Sequence, residues 1–169
     1  MNSFVFSMVV VFLVFFLLSS QVSADLISDT CKKTPSYNLC VSTLRADPQS
    51  SKADVQGLAL IAVKKLVVEG TKTEKEIKQL IKKTKYKPLL DALKLCADKY
   101  NIIVHYDFPV AVEAITKGDP KFAEGATVDA ARSSDKCASG ITSTPNLASS
   151  NKLVHDLDDI VLYIVRLLL

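Results

Sequence analysis

An all-α fold is what this 169-residue sequence predicts: an up-down four-helix bundle preceded by a short N-terminal helical hairpin and tied by two disulfides. Three observations carry that expectation. Apolar residues recur at steps of three, four and seven through most of the chain beyond residue 52. No segment alternates apolar and polar residues between turn signals, as half-buried strands would. Four cysteines, Cys31, Cys40, Cys96 and Cys137, follow an opening apolar run of the kind that directs secretion, and an even count of cysteines in a secreted chain reads as a disulfide framework.

The opening run, Phe4 to Leu18, has the length of a signal-peptide core, and the small-residue ending Val22–Ser23–Ala24 predicts cleavage after Ala24. It is shorter than the roughly 20 apolar residues of a bilayer span, which argues against a retained anchor. Residues 1–24 are therefore expected to be removed. What remains, 25–169, is the size of one domain, divided into a hairpin over 25–48 and a bundle over 52–169.

Within the hairpin, Cys31 and Cys40 on one straight helix would stand about 13 Å apart, whereas a disulfide tolerates roughly 7 Å between Cα atoms. The chain has to turn between them, and Pro35 supplies the break. Three pairings are open to four cysteines. The short Cys31/Cys40 separation favours a local clip, leaving Cys96 and Cys137 to tie two later helices. In a chain-entropy picture the two loops would stabilise by about 3 and 4 kcal/mol.

A polar connector, "ADPQSSKAD", then offers Ser50 or Ser51 as the cap of the first long helix. That helix is read from Val55, Leu58, Ala62, Leu66, Thr73, Ile77, Leu80 and Thr84, with Gly70 as a tolerated weak point. The second pattern runs from Leu89 after Pro88 through Cys96, Tyr100, Ile103 and Ala111 to Ile115, and stops at "KGDP". Pro109 lies inside it, so a kink near His105 to Phe108, or two helices end to end, is expected. The third opens on Asp119 as cap with Pro120 in the first turn, and continues through Phe122, Ala126, Ala130, Ala131 and Cys137. The fourth occupies Asn151 to Leu169, with Asp156, Asp158 and Asp159 placed to complement a helix start. Its apolar end, "IVLYIVRLLL", is too short to span a bilayer and is interrupted by Arg166.

Charge narrows the function classes little. The net charge is +3, and the seven lysines of Lys72 to Lys87 stand against two glutamates, which reads as a solvated helix face. No aromatic ladder accompanies them, so nucleic acid is not an expected partner. Cofactor and catalytic signatures are missing too: no Gly-x-Ser-x-Gly elbow, phosphate loop, dinucleotide fingerprint or His-Glu-x-x-His helix occurs. Metal binding fails on spacing, since no Cys-x-x-Cys occurs and neither His105 nor His155 lies near a cysteine in sequence. His105, between Val104 and Tyr106 and close to Pro109, is a poor acid/base candidate, and His155 beside Asp156 reads as a surface charge partner.

The stretch "GDPKFAEG", Gly118 to Gly125, does not fit packing alone, because it sets a lysine and an aromatic ring side by side at a helix mouth. With "DTCKKTPSYNLCVSTLRADP", the lone cysteine of "DALKLCADKY" and "GDPKFAEGATVDAARSSDKC", the chain from Asp25 to Leu169 resembles the plant invertase and pectin methylesterase inhibitor family, and specifically its invertase-inhibiting branch. The resemblance implies a secreted protein of the apoplast or vacuole, without cofactor or catalytic activity. It also implies an acid invertase as partner, with Pro120, Lys121 and Phe122 entering the active-site cleft. Pro109 and the "ASGITSTPN" after Cys137 depart from the family pattern.

Physical chemistry gives that implication a rationale. A retaining glycosidase holds two carboxyl groups about 5 Å apart in a pocket shaped for a sugar ring. Lys121 is a compact cation for such a pocket, Phe122 can cover the surface where a sugar lies, and Pro120 lowers the ordering cost. In isolation, Phe122 could equally be the first core residue of its helix and Lys121 an ordinary surface lysine. Pectin methylesterase is the alternative partner. A disulfide-bonded helical carrier of lipids or small ligands is a third reading, but it needs an internal cavity, against which the alanine-rich third pattern argues.

Overall fold

Local capping chemistry decides where each helix of the molecule begins. The structure, a computed structural model, describes residues 26–169, so the expected signal peptide over 1–24 lies outside the described residues. Helical backbone over 26–31 (α1) turns at Pro35 into α2, Tyr37–Arg45. Cys31 and Cys40 are joined across that turn with their Cα atoms 5.5 Å apart, within the range a disulfide needs. Thr34 Oγ1 donates to the Cys31 carbonyl at 2.9 Å, holding the turn from inside.

The connector departs from expectation. Pro48–Lys52 coils into its own 3₁₀ turn under Asp47, which accepts from the Gln49 N–H. Ser50 is buried in that turn rather than capping anything downstream. The start of α3, Val55–Lys83, is displaced accordingly: Asp54 is its cap, with Oδ1 accepting from the Gly57 N–H at 2.8 Å.

Helix α4, Lys87–Ile102, continues through a π-helical turn, Ile103–Asp107, into α5, Phe108–Lys117. The expected break thus appears as a widened turn rather than a sharp kink. Pro109 has no N–H to return to the helix, and just ahead of it the Phe108 N–H reaches back five residues to the Ile103 carbonyl. Helices α6, Pro120–Ala138, and α7, Pro145–Arg166, complete the bundle. The last helix starts earlier than the expected Asn151, because Pro145 is pre-organised for a first helical turn. Asp156, Asp158 and Asp159 therefore sit mid-helix and do not complement a helix start as expected.

The four long units pack in a ring, α3 on α4–α5, α4–α5 on α6, α6 on α7 and α7 on α3, while α2 rests on α3 and α7. Up-down connectivity puts the α5–α6 corner at one end with the C-terminal turn of α7. The second disulfide, Cys96–Cys137, ties α4 to the last turn of α6 with a Cα separation of 4.6 Å. Beside it a buried polar link joins three helices: the Tyr100 hydroxyl donates to Asn151 Oδ1 at 2.9 Å, and Asn151 Nδ2 donates to the Ser134 carbonyl at 3.2 Å. Each partner satisfies the other's desolvated group, which fixes the register of α4, α6 and α7.

Gly70 is not the weak point that helix propensity suggests. The buried ring of Phe108 lies where its side chain would be, and a Cβ there would stand 2.4 Å from Phe108 Cε2. The π turn delivers that ring onto α3, and only glycine admits it. Gly70→Ala is accordingly expected to destabilise by about 2 kcal/mol through overpacking. That corresponds to a fall of roughly 8 °C in melting temperature, measurable by circular dichroism. A melting temperature equal to or above that of the native protein would show that the ring can yield.

Candidate functional site

A helix stop and a helix start, back to back, build the corner that carries the candidate tripeptide. Gly118 adopts the left-handed conformation, φ 72° and ψ 35°, which a residue with a side chain resists. Its N–H donates to the Ile115 carbonyl at 3.2 Å and the Asp119 N–H to the Ala114 carbonyl at 2.8 Å, so α5 closes in a Schellman motif. Gln56 Nε2 of α3 donates to the Ile115 carbonyl at 2.7 Å and pins the same turn to the bundle. Asp119 then caps α6 through the Phe122 N–H at 3.4 Å, and Pro120 opens the first turn.

Pro120, Lys121 and Phe122 therefore share one rigid turn. Phe122 is 68% exposed, which removes the reading in which it begins the core; Ala123, Ala126, Thr127 and Ala130 form the buried face instead. Shallow grooves lie on either side of its ring. One, of about 430 Å³, runs along α5 past Val110, Glu113 and Lys117; the other, of about 420 Å³, runs past Tyr106, Val110, Lys121 and Asp129. Tyr106 is 63% exposed and Val110 is exposed as well, so an apolar strip continues from Phe122 across the π turn. Exposed apolar area of this kind marks contact surfaces more often than it marks neglect.

Lys121 projects into solvent with its side chain 78% exposed, and its ammonium donates to Glu124 Oε2 at 2.7 Å. The other carboxylate oxygen, Glu124 Oε1, accepts from Arg166 Nε of α7 at 2.9 Å. Lys121 first, and then Arg166, hold the Glu124 carboxyl below the usual carboxylate range. The Arg166 guanidinium in turn lies over the Tyr163 ring, 5.6 Å from its centroid. Sequence reading missed Glu124 and Arg166. The first was legible as an i,i+3 partner of Lys121; the second belongs to another helix and leaves no local signal.

An acidic pair adjoins the second groove, which Asp107 itself lines. Asp158 of α7 is 1% exposed, and neither carboxyl oxygen has a hydrogen-bond partner. Burial, then Asp159 and Asp107, push its carboxyl well above the usual range. The Ala131 backbone of α6 pulls weakly the other way without hydrogen-bonding geometry. Asp107 of the π turn also has one buried oxygen without a partner, and burial followed by the Asp129 charge pushes it up to about 6.

The histidines occupy structural pairings. His105 Nε2 lies 3.2 Å from Glu74 Oε1, a carboxylate that also accepts from Lys78 Nζ at 2.7 Å. His155 Nε2 lies 3.2 Å from Asp135 Oδ1 of α6. Among the described residues no helix is long and apolar enough to cross a membrane.

A family model described as plant invertase/pectin methylesterase inhibitor matches residues 25–164. An Arabidopsis thaliana protein named cell wall / vacuolar inhibitor of fructosidase 1 is 41% identical over 136 residues, 80% of this chain. The chain spans 65% of that relative's own length, just under two thirds. A pectinesterase inhibitor from Actinidia deliciosa is 26% identical over 154 residues, 89% of this chain and 83% of its own. Among solved structures, a mutant form of a pectin methylesterase inhibitor from Arabidopsis superposes with a TM-score of 0.75 over 83% of this chain and 95% of its own, at 21% identity, a likeness of fold.

Proposed function

The chain belongs to the plant invertase/pectin methylesterase inhibitor family, and on that premise we propose that it is a non-catalytic protein inhibitor of plant acid invertase, β-fructofuranosidase, acting in the apoplast or vacuole. The observation that carries this reading is the exposure of Lys121 and Phe122 together on one capped turn. An aromatic ring left in water beside a cation costs the free protein its burial. Docking into a pocket with carboxyl groups and a sugar-shaped apolar wall would satisfy both groups at once.

The mechanism is occlusion. Lys121 places its ammonium among the carboxylates that otherwise serve sucrose cleavage, and Phe122 covers the face on which the sugar would lie. Pro120 and the Asp119 cap hold the turn before the partner arrives, so little ordering entropy remains to be lost. The Tyr106–Val110 strip widens the contact beyond the cleft.

Pectin methylesterase is the second candidate, because a pectinesterase inhibitor aligns over nearly the whole chain. The oxidised protein over residues 25–169 separates the two in parallel assays. It is expected to inhibit an acid invertase in a saturable manner and to leave a pectin methylesterase active at the same concentration. Inhibition of the esterase alone overturns the invertase reading.

A further inference from the structure

Lys121 is not a free cation awaiting a partner, because Glu124 already holds it. A lysine that inserts into a carboxylate pocket has to leave that carboxylate behind. An unpaired Glu124 at the mouth of an acidic pocket would then repel the partner, and like charges brought together at an interface cost affinity. The second oxygen of Glu124 removes this difficulty, since Arg166 of α7 holds it at 2.9 Å independently of Lys121.

From this arrangement we infer that Glu124 and Arg166 are positioning residues for docking: Glu124 parks the Lys121 ammonium in the free protein, and Arg166 keeps Glu124 neutralised after Lys121 transfers to the partner's carboxylates. The inference rests on the invertase-docking reading above. Three geometric facts make the pair suited to the exchange. Glu124 lies one helical turn beyond Lys121, so the ammonium can swing away without backbone movement. Arg166 comes from a different helix and stays where α7 puts it. Its guanidinium is further held over the Tyr163 ring, and a planar, permanently charged group is the side chain that retains a carboxylate when a neighbour departs. The partner group this chemistry fits is a paired carboxylate, which can outcompete a single glutamate for one ammonium.

The electrostatic roles have opposite signs, and that makes them separable. Glu124→Gln removes the competitor for Lys121 and the residual negative charge, so inhibition of an acid invertase is expected to be equal or tighter. Arg166→Leu leaves Glu124 unneutralised and is expected to raise the inhibition constant about fivefold or more at low ionic strength, with the loss shrinking as salt is added. In the double variant Glu124→Gln, Arg166→Leu there is no charge left to neutralise, and the constant is expected to return to that of Glu124→Gln alone. A structural role of Arg166 would not be rescued in this way.

If Arg166→Leu leaves inhibition unchanged, or the double variant keeps the full loss, the inference is overturned. A Lys121→Ala variant assayed alongside separates the two levels of failure. Should it lose inhibition while Arg166 proves irrelevant, the docking reading stands and the exchange falls. Should Lys121→Ala inhibit as well as the native protein, both fall together.

Discussion

Replacing Lys121 and Phe122 together with alanine is expected to weaken inhibition of an acid invertase by about a hundredfold or more while leaving the melting temperature within about 2 °C of native. Truncating one member of a desolvated charge pair costs about 2–5 kcal/mol, much of it because the other charges remain buried and unpaired. Losing the contact of an aromatic ring adds about 1.5–3 kcal/mol. Non-additivity at a shared site trims the sum, yet some 3 kcal/mol already corresponds to a hundredfold. The fold should not notice, because both side chains are mostly in solvent and alanine favours a first helical turn at least as well. Inhibition constants from initial rates, with circular dichroism melts on the same samples, check both halves. A double variant that inhibits like the native protein would return the tripeptide to the status of a helix start.

Raising the pH from 4.5 to 7.5 is expected to lower the melting temperature of the native protein on the order of 10 °C, through Asp158 and Asp107. Both carboxyls are raised in the folded state above their unfolded values. The stability such groups contribute is fully present below the unfolded carboxylate range and is lost as pH rises through the folded pKa, for Asp107 about 6. Asp158 carries most of the loss, since an ionised carboxylate stripped of water and partners costs several kcal/mol, and each kilocalorie corresponds to about 4 °C at this size.

The surroundings of Asp158 offer little relief. Asp107 faces it from the π turn and Asp159 adjoins it on α7; burial and then Asp129 of α6 raise Asp107, while burial and then Asp156 and Asp135 raise Asp159. His155 and Arg166 oppose this at Asp159 only. The glutamates held low by lysines, Glu69, Glu113 and Glu124, act in the opposite sense, but their stabilisation fades only as pH falls below the usual carboxylate range, outside this window. Asp158→Asn cannot ionise and is expected to flatten the dependence and melt above the native protein at pH 7.5. A native melting temperature that does not change with pH, or an Asn variant with the native slope, would show that Asp158 is not the responsible group.

The parts of the molecule legible in its residues are those set by short-range chemistry. Pro35 between two cysteines forces a turn whatever surrounds it, and Asp119–Pro120 after a glycine marks a helix boundary through caps that span three residues. Periodicity over eight turns identifies α3 without any knowledge of its neighbours. The same short range explains the misplaced boundaries. Ser50 and Ser51 are as good caps as Asp54 until the connector coils into its own 3₁₀ turn, and Pro145 looks like loop until α7 is extended to meet it.

The identities of the helix faces, by contrast, come from long-range packing. Gly70 and Phe108 are 38 residues apart, and nothing near either one says that a π turn will lay the ring against the glycine. Asp158 reads as part of a polar helix start, but it is buried, because α7 turns that side toward α6 and Asp107 of the π turn. Phe122 reads equally well as core or as contact surface until the register of α6 places Ala123 and Ala126 inward and leaves the ring in water. Composition, spacing and caps determined that this chain is a disulfide-tied helical bundle with a lysine and a phenylalanine at one helix mouth. Which side of each helix meets its neighbour is a property of long-range packing, and that packing is what leaves the two side chains exposed and places Glu124 and Arg166 behind them.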